Sequence, residues 1–185
     1  ESQKELLKGL LIIDAHAHPD KYLIGTKSRD NASSLEAIRE LGMAACSFAA
    51  LGDTVAATRG HTTGTDYQLT KIQLDFWMDD LVKSGKVKLV KTASDIPKST
   101  GQGYVPGAIL SIEGGDALSG NPDRVNDFHA YGIRMITLVH LGSNELGESM
   151  AYSQGIGLTP KGRKVVEKMQ AACVLLDVAH ASALT

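Results

Sequence analysis

Residues 10–20 read LLIIDAHAHPD. An aliphatic run leads into an acid, and His16 and His18 follow with one residue between them. The run is short, which suits a buried strand. Alternate residues of a strand point to one side, so His16 and His18 share a face and can reach one metal ion. Neutral imidazole is a common ligand of zinc and other borderline divalent ions. Two satisfied polar residues in a loop would also fit an H-x-H pair. Its meaning therefore depends on what the rest of the chain places at equivalent positions.

Strand and helix signals alternate downstream. Residues 43–49 (MAACSFA), 107–113 (GAILSIE), 133–140 (IRMITLVH) and 173–178 (CVLLDV) read as strands. Residues 87–92 (VKLVKT), in which lysines interrupt the apolar residues, read as a half-exposed one. Ser33 to Glu36 form a capping box that opens a helix with Leu35, Ile38 and Leu41 on one face and Gly42 at its end. Thr65 or Asp66 caps a longer helix in which Leu69, Ile72 and Phe76 recur at helical spacing, stopped by Gly85. Asn121-Pro122 opens a helix that ends at Gly132, and Thr159-Pro160 opens another with Val165, Val166 and Met169 apolar. Apolar strands separated by helices predict a parallel sheet covered on both faces.

An open doubly wound sheet and a barrel both satisfy that pattern, and the polar strand ends decide between them. His16 and His18, Glu113 and His180 end three strands, and His140 ends a fourth. A barrel gathers the C-terminal ends of its strands at one mouth, where the active site lies. An open sheet would string them along an edge. The expected fold is α/β, a (β/α)8 TIM-type barrel. The chain supplies about its first five strand–helix units, as one incomplete metallo-dependent hydrolase barrel over residues 1–185.

Composition removes other classes. The chain carries 19 Lys and Arg against 21 Asp and Glu, and this near-neutral balance argues against a nucleic-acid partner. No apolar run approaches the roughly 18–20 residues of a membrane span. Cys46 and Cys173 lie far apart and form no disulfide pattern. The chain begins at Glu1 rather than a methionine, so removal of an upstream tag or signal segment is expected, and the compartment, cytoplasmic or exported, stays open.

Glu113 stands in SIEGGDAL. A carboxylate at a buried strand end is costly unless paired or metal-bound, and Gly114 and Gly115 leave room for a ligand or backbone to approach. Its two oxygens can bridge two cations. His61, in a Gly/Thr loop, and His129, in a helix, read as surface residues. Asp14 and Asp177 each read either as an acid orienting a ligand or as one bonded to backbone.

The blocks IDAHAHP, GAILSIEGGDAL, YGIRMITLVHLGSNELGES and GLTPKGRKVVEKMQAACVLLDVAHAS resemble, in family order, the membrane (renal) dipeptidases. These are (β/α)8-barrel metallopeptidases with two zinc ions. The resemblance implies that His16 and His18 bind one Zn2+, that Glu113 bridges both, and that His180 binds the other. It implies that His140 is a substrate-binding and catalytic residue near the scissile carbonyl, with Glu113 catalytic through the metals. It also implies a small dipeptide substrate hydrolysed by metal-activated water, and leaves a homodimer open. The family carries aspartate where this chain has His18, an H-x-H form like that of other barrel amidohydrolases. A further metal histidine, a substrate arginine and a catalytic aspartate of the family lie on later strands, beyond Thr185. The 185 residues are therefore expected to be part of a longer barrel and inactive alone, with Ile136, Leu138, Leu176 and Val178 pointing into the barrel and lacking packing partners. Two rival readings remain: a metal-dependent amidohydrolase acting on a non-peptide amide or lactone, and a non-catalytic barrel fragment.

Overall fold

The computed structural model describes residues 9–18, 34–57 and 63–185. Ser33 and His61, each given a part above, lie outside them. The elements are β1 (Ile12–Ala17), α1 (Ser34–Glu40), β2 (Met43–Leu51), α2 (Thr54–Ala57), α3 (Asp66–Trp77), β3 (Lys88–Leu89), β4 (Gly107–Glu113), α4 (Arg124–Tyr131), β5 (Ile133–Thr137), α5 (Pro160–Ala171) and β6 (Leu175–Asp177). Every strand pairing is parallel, and the sheet runs β1-β2-β4-β5-β6, with the two-residue β3 on the edge of β4 ahead of β5. Apart from the short β3, which lies across β4 from β2, neighbours in space follow neighbours in sequence without reversal. That is the order of a barrel wall; a doubly wound sheet reverses at a switch point.

The core lies between the convex face of this wall and the helices. Phe48, Leu74, Trp77, Leu110, Ile112, Val125, Phe128, Ile136 and Val165 belong to it, each nearly or fully buried. The central strands β2 and β4 are covered on both faces, while β1 and β6 are the exposed rims. The opposite face is concave and open: Ala15, Glu113, Met135 and Asp177 line a cavity there of about 250 Å³. Leu175 is 63% exposed, and Ile13 is 43% exposed.

Several elements depart from the sequence expectation. Ile136 and Leu138 do not lack partners: both are buried, and Leu176 packs against the same core. The register pairs Ile136 with Leu176 and Met135 with Leu175, so the concave residues are one position out of phase with those expected. Only Val178, 61% exposed, behaves as expected. In α3 the buried side chains are Leu69, Leu74 and Trp77, with Thr70 and Gln73, while Ile72 and Phe76 are exposed. Two buried polar residues turn the packed face away from the most apolar stripe. Past Trp77 the helix continues as a single π turn, Met78–Val82. The strand expected over 173–178 begins only at Leu175, because Cys173 is left-handed (φ 55°) and closes the turn after α5. The α4 helix starts at Arg124; Asn121 instead accepts the Asp123 N–H in the preceding turn. Of the two caps offered for α3, Thr65 is the one used, and Gln68 completes a capping box with it; the Thr159 cap before Pro160 forms as expected.

The inverted face of α3 is directly testable. Trp77→Ala in the full-length protein is expected to cost about 3–5 kcal/mol of unfolding free energy, and Ile72→Ala less than about 1 kcal/mol. Equal losses in chemical denaturation would mean that Ile72 belongs to the core.

Candidate metal centre

Each strand end delivers its residue to one place. Glu113, the last residue of β4, is 4% exposed. Four imidazoles turn Nε2 toward its carboxylate. His18 Nε2 is 3.0 Å from Oε2, and His180 Nε2 is 3.1 Å from Oε1. His140 Nε2 and His16 Nε2 are 3.5 and 3.6 Å from Oε1. The ligand atoms form two triads sharing Glu113: His16, His18 and Glu113, and Glu113, His140 and His180, with atoms within 4.8 Å of one another in each.

Local structure sets these directions. His16 lies on β1 and His18 just beyond it. The carboxylate of Asp14 accepts the backbone N–H of His16 (3.1 Å), so Asp14 braces the strand end. His18 Nδ1 is 2.9 Å from the Ala49 carbonyl oxygen. A carbonyl only accepts, so Nδ1 carries a proton, and in the neutral ring the lone pair sits on Nε2. His180 is left-handed (φ 62°), a backbone state that histidine adopts more readily than bulkier residues. Asp177 accepts from the Thr137 hydroxyl at 2.6 Å and the Ala179 N–H at 2.9 Å, which resolves its two readings in favour of structure. His129 is on α4, in neither triad.

The electrostatics favour an ionised Glu113. Burial works to raise its pKa, but the His18 hydrogen-bond interaction and the charges of His140, His16 and His18 outweigh it and hold the carboxyl at about 2. The proximity of Glu113 raises the pKa of His18 against the opposing effect of burial. Burial lowers that of His140, but Asp53, Glu113 and Asp116 together raise it further. The donors fit divalent cations. Glu113 Oε2 is buried and accepts no hydrogen bond of good geometry, and imidazole nitrogens surround an acceptor-only group. An orphaned buried carboxylate oxygen is costly, and a cation satisfies it.

The family model of the membrane dipeptidases, peptidase family M19, matches residues 1–185. The chain belongs to the membrane dipeptidase family. Its matches include mouse Dipeptidase 3, 32% identical over 80 residues, which is 40% of this chain and 16% of that protein. Among solved structures, the probable dipeptidase PvdM of Pseudomonas aeruginosa superposes with a TM-score of 0.74 at 16% identity, covering 98% of this chain and 49% of that one. A metallopeptidase from Rhodobacter sphaeroides, solved with a phosphinate mimic of the dipeptide L-Ala-D-Ala, gives 0.70 at 20% identity, covering 95% and 60%. The chain thus spans about half the length of these solved relatives, as a parallel half-barrel. Among the described residues no helix is long and apolar enough to cross a membrane.

Two acids that sequence reasoning passed over support this dipeptidase-family site. Asp53 Oδ1 meets His140 Nδ1 at 3.0 Å. Glu148 is buried, and its carboxylate accepts N–H groups of Gln154, Ile156 and Gly157 at 2.7–3.0 Å and the Ser153 hydroxyl at 3.0 Å. Its backbone oxygen accepts from Ser182, and the next residues tie back to the His180 loop through the Ser149–Ala181 bridge and Met150 N–H to His180 O. An acid five to nine residues from its partners in an irregular loop leaves no periodic signal.

Hydrogen bonds, led by that of Gly157, hold the Glu148 carboxyl at about 2. A folded pKa below the unfolded value of about 4.3 gives stability that is present above about pH 4.3 and lost as pH falls through about 2. Glu148→Gln is therefore expected to lower the unfolding midpoint at neutral pH, with the gap from wild type closing over that window. A gap that stays constant in acid would contradict this.

Proposed function

We propose that the full-length protein is a zinc-dependent dipeptidase, with two cations held across Glu113. The observation that carries this reading is one buried carboxylate facing four Nε2 atoms from the ends of three strands, two of them from β1. His16 and His18 hold one cation with Glu113, and His180 holds the other with Glu113. Cations bound there would lower the pKa of a bound water toward neutrality and polarise the scissile carbonyl. The chain's own residues do the rest. Glu113 stays ionised and fixes the spacing of the two positions. His140, 14% exposed at its side chain, directs Nε2 into the same space and stabilises the oxygen on which charge develops. With His18 in place of the family aspartate, the first triad carries one negative charge fewer, so this position binds zinc more weakly than in a family member with the acid.

The 185 residues are read as the first part of one longer barrel. The open concave face and the exposed Leu175 and Val178 support this, because a closed barrel fills its interior with side chains. His18 favours one alternative substrate class, a non-peptide amide or lactone, as in amidohydrolases that carry H-x-H.

The test uses full-length protein. Metal per chain after dialysis is expected to fall by one equivalent in His16→Ala and in His180→Ala, and by two in Glu113→Ala. Wild type is expected to hydrolyse a dipeptide panel in preference to lactones and cyclic amides. Loss of a single equivalent in Glu113→Ala would remove its bridging role, and lactone preference would remove the dipeptide assignment.

A further inference from the structure

We propose that Asp53 is the positioning residue of this site: its carboxylate fixes the imidazole of His140 with Nε2 aimed at the Glu113 centre. The proposal rests on the reading above for what His140 does there, and on independent geometry for how His140 is held. Asp53 lies in the loop after β2, 87 residues from His140 in sequence, and is 4% exposed. Its Oδ1 is 3.0 Å from His140 Nδ1, and its Oδ2 accepts the Leu141 backbone N–H at 3.3 Å. One carboxylate therefore grips both the ring and the chain that carries it. An ionised carboxylate only accepts, so Nδ1 bears a proton whatever the charge of the ring, and Nε2 is the nitrogen left for chemistry. Nε2 stands 3.5 Å from Glu113 Oε1.

The loop that carries Asp53 is itself clamped. The Gln73 side chain, 1% exposed, accepts from Leu51 N–H at 3.0 Å and donates to Leu51 O at 2.9 Å. The hydroxyls of Thr54 and Thr70 donate to the same carbonyl oxygen at 2.9 and 3.0 Å. Beyond Asp53, Asp66 accepts the Val55 N–H at 2.8 Å. Gly52 donates to Glu113 O at 2.7 Å, and a Cβ on Gly52 would lie 1.7 Å from Gly114 O. The Asp53 loop and the Glu113 turn are thus in backbone contact, and only glycine fits at 52. This fixes Asp53 relative to the carboxylate that His140 must face. Burying an acid is costly unless its oxygens are bonded, and here both are bonded to the His140–Leu141 segment.

The experiment uses the full-length protein, wild type and Asp53→Asn. Asparagine has one accepting oxygen where Asp53 uses two, so with that oxygen on Leu141 N–H its NH2 donates to His140 Nδ1 and the ring moves to the opposite tautomer. The expected result is unchanged metal content, KM within about 3-fold and kcat lower by roughly 10²–10⁴, the scale of losing ring orientation in a catalytic triad. The second readout is nitrogen-15 NMR of the histidine rings in metal-free protein, with His140 assigned by His140→Gln. His140 is expected to be protonated at Nδ1 in wild type and at Nε2 in the variant. The wild-type spectrum alone carries the test if the variant does not fold. A wild-type His140 ring protonated only at Nε2, a ring unchanged in Asp53→Asn, or kcat at the wild-type value would each overturn the proposal. Loss of metal in Asp53→Asn would also overturn it, by making Asp53 a ligand. If wild type cleaves no dipeptide while the ring responds to Asp53 as expected, the positioning role stands and the substrate assignment falls.

Discussion

A single buried carboxylate ringed by four imidazoles sets the terms for the rest of the molecule. Transferring an isolated ion into a protein interior is prohibitively costly, so Glu113 requires positive or hydrogen-bonding neighbours from several directions at once. No local segment can provide them. His16 and His18 come from the end of β1, His140 from beyond β5 and His180 from beyond β6. A wall of parallel strands turns all these ends toward one rim, and that requirement explains why the topology matters more than any one strand. The close packing of Gly52 against Gly114 follows from the same constraint, since the Asp53 loop must reach His140 past the turn that holds Glu113.

Around this centre the protein spends buried polar groups on loops rather than on strands. Gln73 reaches from α3 to satisfy both backbone groups of Leu51, and Glu148 gathers the turn at 153–157 that lies against the His180 segment. Loops that carry chemistry are usually mobile, and such clamps make them as definite as the scaffold. The convex face behaves differently: apolar packing against helices holds it, and it tolerates the open concave side.

Part of this was legible in the sequence. The β4 strand was read with its observed bounds, because a continuous apolar run ending in Glu-Gly-Gly has no helical alternative of that length. The H-x-H pair and the strand-end histidines pointed to the mouth of a barrel, and the structure brings all of them to one carboxylate. The concave and convex residues of β5 and β6 were exchanged because a period of two has no absolute phase until a partner strand fixes it. The packed face of α3 was misread because Thr70 and Gln73 look like surface residues, yet they are buried to serve Leu51. Asp53 could not be found from sequence. It sits in a loop with no periodicity, and its partner is 87 residues away.

The most direct measurement is anomalous X-ray scattering at the zinc edge from crystals of the full-length protein grown with zinc. The expected map has two peaks about 3.5–4 Å apart, the spacing of two-metal sites. One peak is expected against His16, His18 and Glu113, and the other against Glu113 and His180. A single peak bound by one triad, or zinc held away from Glu113, would contradict the shared-carboxylate account.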